Sequence, residues 1–346
     1  MKRDIRDLVP EELKREITAM GEPAHRARQI FMWLNRKSAD SFTEMTDLPK
    51  RFITELDKRF VIGALECAEQ LKSKDGTEKF LWRLEDGQYI ETVLIREARR
   101  RTLCLSTQVG CRFKCPFCAS GIKGFIRDLR ASEIVNQLLQ AQKLCDCRVT
   151  NIVFMGMGEP LDNYDNLEKA IRIINHPGGT GLGARKITVS TCGIIPGILK
   201  LQKIGLQVEL SVSLHAASNH LRDELVPVNR KYPLEKLISA CEKYYKKTGR
   251  VITLEYTLIG DKNDSIEEAE KLGQIANRLK AKINLIECSP VCAGEGLKPD
   301  RKKLTLFVER LRSKKAAVTV RKSKGVDIMA ACGQLALRRA KRKSEK

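Results

Sequence analysis

Three cysteines, Cys111, Cys115 and Cys118, fall within the octapeptide Cys-Arg-Phe-Lys-Cys-Pro-Phe-Cys. At this spacing their sulfurs can face a common ligand only from an irregular loop, because a helix or a strand would turn them to different faces. The chain must therefore fold around a ligand-holding loop. Thiolates are the soft donors that iron–sulfur clusters and zinc select, and a four-iron cubane ordinarily takes four of them. With three local thiolates, a cubane held here leaves one iron open to another ligand. The alternative is a structural zinc knuckle completed by a distant Cys or His, although zinc signatures usually come as two paired Cys-x-x-Cys arms. A strand-like apolar run over 102–109 and a turn at Gly110 lead into the loop.

The 346 residues suffice for a large core with an appendage. Lys and Arg number 64 against 43 acidic residues, a formal charge of +21. Such an excess points to a polyanionic partner, most simply nucleic acid; a merely soluble basic surface is the other reading. No apolar run approaches the ~20 residues that span a bilayer, so no membrane association is expected. The N-terminal stretch MKRDIRDLVPEELKRE has no apolar centre of the signal-peptide kind. Twelve cysteines in a chain of this length are expected to stay reduced, which places the protein in the cytoplasm.

Four segments are expected: a helical domain over 1–60, a β-hairpin or linker over 61–100, the main domain over 101–335 and a basic tail over 336–346. In the first, Pro10-Glu-Glu opens a helix and Gly21-Glu-Pro23 breaks it. A second helix over 24–37 sets Ile30, Phe31 and Leu34 on one buried face. Asp47 and Pro49 suit the start of a third, with Asp as cap and Pro in the first turn. Arg26, Arg28, Arg36 and Lys37 either meet phosphates or form a solvated face. From Thr77 the period becomes that of strands: KFLWRL, a turn at 85–87, then YIETVLI. Glu91 shares a strand face with Val93 and Ile95, as a proton-transfer carboxylate or as a paired structural charge.

Between 102 and 290, strands near 102–108, 150–156, 186–191, 208–214, 251–258 and 283–288 alternate with helices such as 132–143, 234–247 and 265–280. This alternation predicts a parallel sheet with crossover helices, in which chemistry sits at the carboxyl ends of the strands. The stretch GGTGLG (178–183) does not lie between a strand and a helix in the order a dinucleotide fingerprint requires, and reads as a loop.

The motifs CLSTQVGC (104–111), FMGMGEP (154–160), STCGIIP (190–196), SVSLHA (211–216) and DIMAACGQL (327–335) follow one another over nearly the whole chain. In kind and order they resemble those of the adenosine-methylating RlmN/Cfr group of radical S-adenosylmethionine enzymes. The resemblance implies an α/β fold, a partial (βα)6 TIM-type barrel with a small N-terminal helical domain that serves as an accessory RNA-binding unit. It implies a [4Fe-4S] cluster on Cys111, Cys115 and Cys118, with S-adenosyl-L-methionine on the open iron and two molecules of it used per turnover. Gly158, Glu159, Ser190, Ser213, Leu214 and His215 match the cofactor-contacting positions. Ser289 stands where the group usually carries Asn, a shorter side chain with fewer hydrogen-bonding groups.

By the same resemblance Cys332 becomes methylated and carries the carbon to adenine, Glu91 removes the ring proton, and Cys104 releases the product as a disulfide forms. The implied product is 2-methyladenosine in 23S rRNA and in tRNA beside the anticodon, with a reducing donor such as flavodoxin or ferredoxin. The proline of Gly-Met-Gly-Glu-Pro160 leans toward carbon 2 over the related carbon-8 methylation. Other readings are a non-catalytic iron–sulfur RNA-binding protein and a glycyl-radical activase. The first sits poorly with the presence of both Cys104 and Cys332, and the second has no need of them.

Overall fold

The computed structural model describes residues 2–288 and 300–335. Ser289 and the basic tail lie outside the described residues. Among those described, no helix is long and apolar enough to cross a membrane.

Strand β1 (Arg3–Asp4) pairs in parallel with β2 (Phe60–Val61), closing the ends of the helical domain on each other. Between them lie α1 (Pro10–Ala19), α2 (His25–Asn35) and α3 (Lys50–Arg59). Their inward faces, Leu13, Ile17, Ile30, Phe31, Leu34, Phe52 and Leu56, are buried at the spacing of an amphipathic helix. Asp47 does not cap α3. Pro49 precedes its first residue, while the Asp47 carboxylate accepts from the Trp33 indole N–H at 2.6 Å and from Gln29 at 3.2 Å. Those side-chain donors on α2 compete for the carboxylate and win it, so the helix starts later than its cap signal suggests. The guanidinium of Arg6 is buried and donates to the carbonyls of Gly63 and Ala39, tying the domain to the segment that follows it.

Beyond that segment, β3 (Glu66–Lys72), β4 (Glu78–Arg83), β5 (Tyr89–Glu97) and β6 (Arg100–Cys104) pair antiparallel in sequence. The hairpin of β4 and β5 is thus part of a larger sheet. Strand β3 escaped the sequence reading because ECAEQLK is an exposed edge strand with mixed polar residues and no clean alternation. Next come β7 (Gln108–Gly110), the cysteine loop, α4 (Ala119–Lys123) and β8 (Phe125–Asp128), with β7 and β8 paired antiparallel.

The parallel part then grows outward from β6. Helix α5 (Ala131–Cys145) leads to β9 (Asn151–Phe154), which pairs with β6, and α6 (Tyr164–Asn175) leads to β10 (Ile187–Thr191). After α7 (Ile195–Leu201) comes β11 (Glu209–Ser213); after α8 (Asn219–Leu225) and α9 (Leu234–Thr248) comes β12 (Thr253–Leu258). Helix α10 (Ile266–Leu279) precedes β13 (Lys282–Glu287), and α11 (Arg301–Ser313) precedes β14 (Ala317–Arg321). One ten-stranded sheet results, in the order β14-β13-β12-β11-β10-β9-β6-β5-β4-β3. It is the expected open α/β barrel with one more parallel strand than the six anticipated. Strand β14 is mostly exposed, so its sequence shows no buried apolar run.

Candidate active site

The cysteine loop begins where β7 ends. Gly110 has φ +76, and a Cβ there would lie 1.7 Å from the carbonyl oxygen of Gly124, so only glycine lets the loop fold back onto β8. The Cys111 amide donates to that same oxygen at 3.1 Å, and the Cys118 amide donates to Cys115 O at 3.1 Å. Residues 111–118 are neither helix nor strand, as the spacing required. The three thiols line one cavity at the carboxyl ends of the parallel strands.

Desolvation in the cavity wall pushes the Cys111 thiol up to about 12 and the Cys115 thiol well above the usual range, and neighbouring thiols and Glu159 add to both. Three soft donors side by side, two of them held against ionisation, call for a cationic group to neutralise them. Among the described residues, however, no set of three His, Cys, Asp or Glu side chains converges tightly enough for a single metal ion. A cubane takes each thiolate on a different iron, so three thiols that line one cavity without meeting at one point can hold it. The donor set fits the cluster.

Around the thiols stand the strand ends. Gly156 and Gly158 follow β9, and a Cβ on them would lie 2.7 Å from the Leu105 backbone and 2.4 Å from the Gln108 side chain, respectively. The protein's own segment after β6, rather than a ligand, is therefore what presses on these glycines, although both also line the cavity. Glu159 is buried; its carboxylate accepts from the Cys192 amide at 2.7 Å and the Leu161 amide at 3.0 Å, and burial raises its pKa. Ser190 and Ser213, at the ends of β10 and β11, approach to 3.4 Å between hydroxyl oxygens and both face the cavity. Leu214 is buried and donates its amide to Glu255 O, and its side chain is not part of the cavity lining.

His215 is held in the left-handed region at φ +57. The Thr257 amide donates to its Nδ1 at 2.9 Å, which leaves the ring proton on Nε2. Burial, with the nearby Arg222 charge, lowers its pKa from 6.5 to about 3. The unfolded chain binds this proton between those values and the folded chain does not, so stability contributed here rises with pH from about 3 to 6.5 and is flat above. The expected slope is up to about 1.4 kcal/mol per pH unit. Urea unfolding between pH 4 and 6 should show a steeper pH dependence for the wild type than for His215→Asn, which tolerates the same backbone angle.

The sequence reading passed over two buried charges. Arg222 on α8 is fully buried and donates to Cys192 O at 2.6 Å, Leu214 O at 3.1 Å and Asn229 Oδ1 at 2.9 Å, clamping the loops after β10 and β11. Glu255 on β12 is buried within the lumen. Arg222 lies in the charge-rich NHLRDEL and carries no signal of its own, whereas Glu255 is the single charge of the strand TLEYTL, a signal the sequence reading did not use.

A second cavity continues down the barrel interior, and both Cys104 and Cys332 line it. Cys104 ends β6, opposite Val93 and Val153, and burial pushes its thiol up to about 12, with Cys332 adding. Cys332 arrives on the C-terminal segment. Gly333 O accepts from the Ala119 amide at 2.8 Å, and Asp327 accepts from Ser73 at 2.5 Å, so the segment is pinned between the cysteine loop and the β3–β4 turn. The Cys332 side chain is open to water, yet it sits in a concave wall that lines both cavities. Glu91 does not line either cavity. It is buried and ion-paired with Lys79 at 3.3 Å, and the Lys79 ammonium also donates to Met329 O at 3.1 Å, three residues before Cys332.

A model of the Radical SAM superfamily matches residues 105–273, and one of the ribosomal RNA large subunit methyltransferase N-terminal domain matches residues 3–62. The chain is 46% identical over 97% of its length to a probable dual-specificity RNA methyltransferase RlmN of Thermotoga neapolitana, covering 98% of that protein. It is likewise 46% identical over 99% of its length to a protein of the same description from Geobacillus kaustophilus, covering 93% of it. Among solved structures, a radical SAM methyltransferase from Sphaerobacter thermophilus superposes with TM-score 0.91 at 43% identity, over 96% of this chain and 99% of that one. With this likeness along the full length, and a three-thiol cage at the strand ends of an open α/β barrel, the chain belongs to the RlmN family of radical SAM RNA methyltransferases.

Proposed function

We propose that the protein methylates carbon 2 of an adenosine in 23S rRNA, and of an adenosine beside the anticodon in tRNA, through a methylated Cys332 and a transient disulfide with Cys104. The observation that carries this reading is the meeting of Cys104 and Cys332, distant in sequence, in one cavity, with Cys332 also lining the adjoining cavity of the cysteine cage. A [4Fe-4S] cluster held by Cys111, Cys115 and Cys118, reduced by a flavodoxin- or ferredoxin-type donor, and two molecules of S-adenosylmethionine would supply the radical and the methyl group.

The chain's own residues do the rest. Gly158, Glu159, Ser190, Ser213 and His215 line the space beside the cage and orient the cofactor there. Cys332 holds the one-carbon unit as a thioether and presents it to the adenine ring. Glu91 lies behind the Cys332 segment, linked to it through Lys79, and would take the ring proton, while the unpaired electron left on the ring by radical addition would pass back to the cluster. The Cys104 thiolate then attacks the Cys332 sulfur: the sulfur–sulfur bond forms, the sulfur–carbon bond breaks, and its electron pair passes to the carbon on the ring, which takes a proton to become the methyl group. Exposed Arg28, Arg36 and Lys37 on the N-terminal domain suit RNA phosphates.

The test is expression in a host deleted for its own enzyme, followed by mass spectrometry of nucleosides from separated rRNA and tRNA. 2-Methyladenosine in both is the expected result. The carbon-8 isomer would overturn the position assigned, and no modified adenosine would overturn the activity.

A further inference from the structure

Glu255 on β12 is 4% exposed, and its two carboxylate oxygens have different surroundings. Oε1 accepts from Asn284 Nδ2 at 3.1 Å and from Ser211 Oγ at 3.3 Å, which fixes the plane and direction of the carboxylate. Oε2 is buried with no hydrogen-bond partner among the described residues. An unmatched acceptor of this kind costs free energy unless a ligand supplies the donor. The residue lines both the cofactor cavity and the cavity that holds Cys104, and it is coupled electrostatically to Arg321 and to the Cys332 thiol. Burial raises the pKa of this carboxyl, and the positive charge of Arg321 with the hydrogen bonds from Asn284 and Ser211 opposes that rise.

We infer that Glu255 is a specificity residue for the target base, accepting a hydrogen bond through Oε2 from the exocyclic amine of the adenine brought to Cys332. The inference rests on the proposed function, which puts the base within bonding distance of the Cys332 carbon and so at this end of the lumen. An anionic acceptor selects an amine edge. Guanine presents a carbonyl oxygen at the same ring position and would set two acceptors facing each other, leaving the buried Oε2 without a partner. Hydroxyls of the cofactor ribose are the competing source of a donor.

The experiment compares two versions of one RNA fragment that the wild-type protein methylates, carrying at the target position either adenosine or purine riboside, which lacks the amine. Cluster-loaded wild type and Glu255→Gln are assayed on both under kcat/KM conditions. Asn284 donates to Oε1 and will hold the amide oxygen of the glutamine, so the amide NH2 is turned to where Oε2 was and meets the adenine amine donor to donor. Wild type should prefer adenosine by roughly 10- to 100-fold, the range for a hydrogen bond to a charged group, and Glu255→Gln should lose most of that preference by slowing on adenosine alone. Glu255→Asp, which keeps an acceptor, should retain part of it, and iron content and melting temperature report whether each variant is folded.

Equal slowing on both targets, or an unchanged preference, would overturn the inference. So would a tenfold weaker dissociation constant for S-adenosylmethionine in Glu255→Gln with the base preference intact, which would assign the carboxylate to the cofactor. A wild type that methylates neither RNA would instead defeat the proposed function and the inference with it.

Discussion

Replacing any one of Cys111, Cys115 or Cys118 with alanine is expected to abolish cluster assembly, leaving anaerobically purified protein with less than a tenth of the wild-type iron and sulfide and no cleavage of S-adenosylmethionine. The size of the effect follows from the loop. Gly110 and Gly124 fold residues 111–118 into an irregular turn whose thiols already stand in one cavity; Cys192 lines the same cavity, but from the loop after β10. Loss of one of three anchors leaves two irons without a protein ligand, which costs far more than loss of a supporting contact. The fold should survive, because the Cys111 and Cys118 backbone hydrogen bonds do not involve the sulfurs. Iron and sulfide analysis with the visible absorption spectrum, beside a melting curve, checks this. A variant with near-normal iron and activity, or a wild type holding stoichiometric zinc and no iron, would sink the cage assignment.

Cys104→Ala and Cys332→Ala are expected to fail in opposite ways. Cys332→Ala has no sulfur to carry the methyl group and should never become attached to RNA. Cys104→Ala should join its one-carbon unit to adenine and stop, since the thiol that would attack the Cys332 sulfur is gone. The two thiols differ in setting: Cys104 is buried on β6 and Cys332 is exposed on a pinned segment, and both line the same cavity. Most of the folded, cluster-loaded Cys104→Ala protein should therefore run as a covalent RNA adduct on a denaturing gel, sensitive to nuclease and mapped to Cys332 by mass spectrometry. A pair serving only structure would respond symmetrically, with lower melting temperatures and no adduct. Continued methylation by Cys332→Ala would refute the mechanism.

Much of this site could be read along the chain because its parts are local. The cage spacing needs only eight consecutive residues, and Ser190, Ser213 and His215 sit where an apolar β-run ends, the position at which an α/β barrel gathers its chemistry. The alternation of strands and helices from β9 to β13 was legible for the same reason: each element carries its own period. What the chain alone did not decide depends on which residues meet across the fold. Strands β3 and β14 lie at exposed edges and have no buried face to write a pattern. Asp47 has the residue type of a cap, but the Trp33 indole claims its carboxylate. Only the tertiary structure shows that Leu105 and Gln108 pack against Gly156 and Gly158, so that a side chain at either position would collide with them. Glu91 stood on an apolar strand face, and only the fold brings Lys79 to it and, through Lys79, the segment before Cys332. Arg222 and Glu255 are ordinary charged residues until the barrel closes over them and removes the water that would otherwise satisfy them. Local pattern sets the backbone, whereas the worth of a buried charge depends on its solvation and its partners, and those are known only once distant strands are side by side.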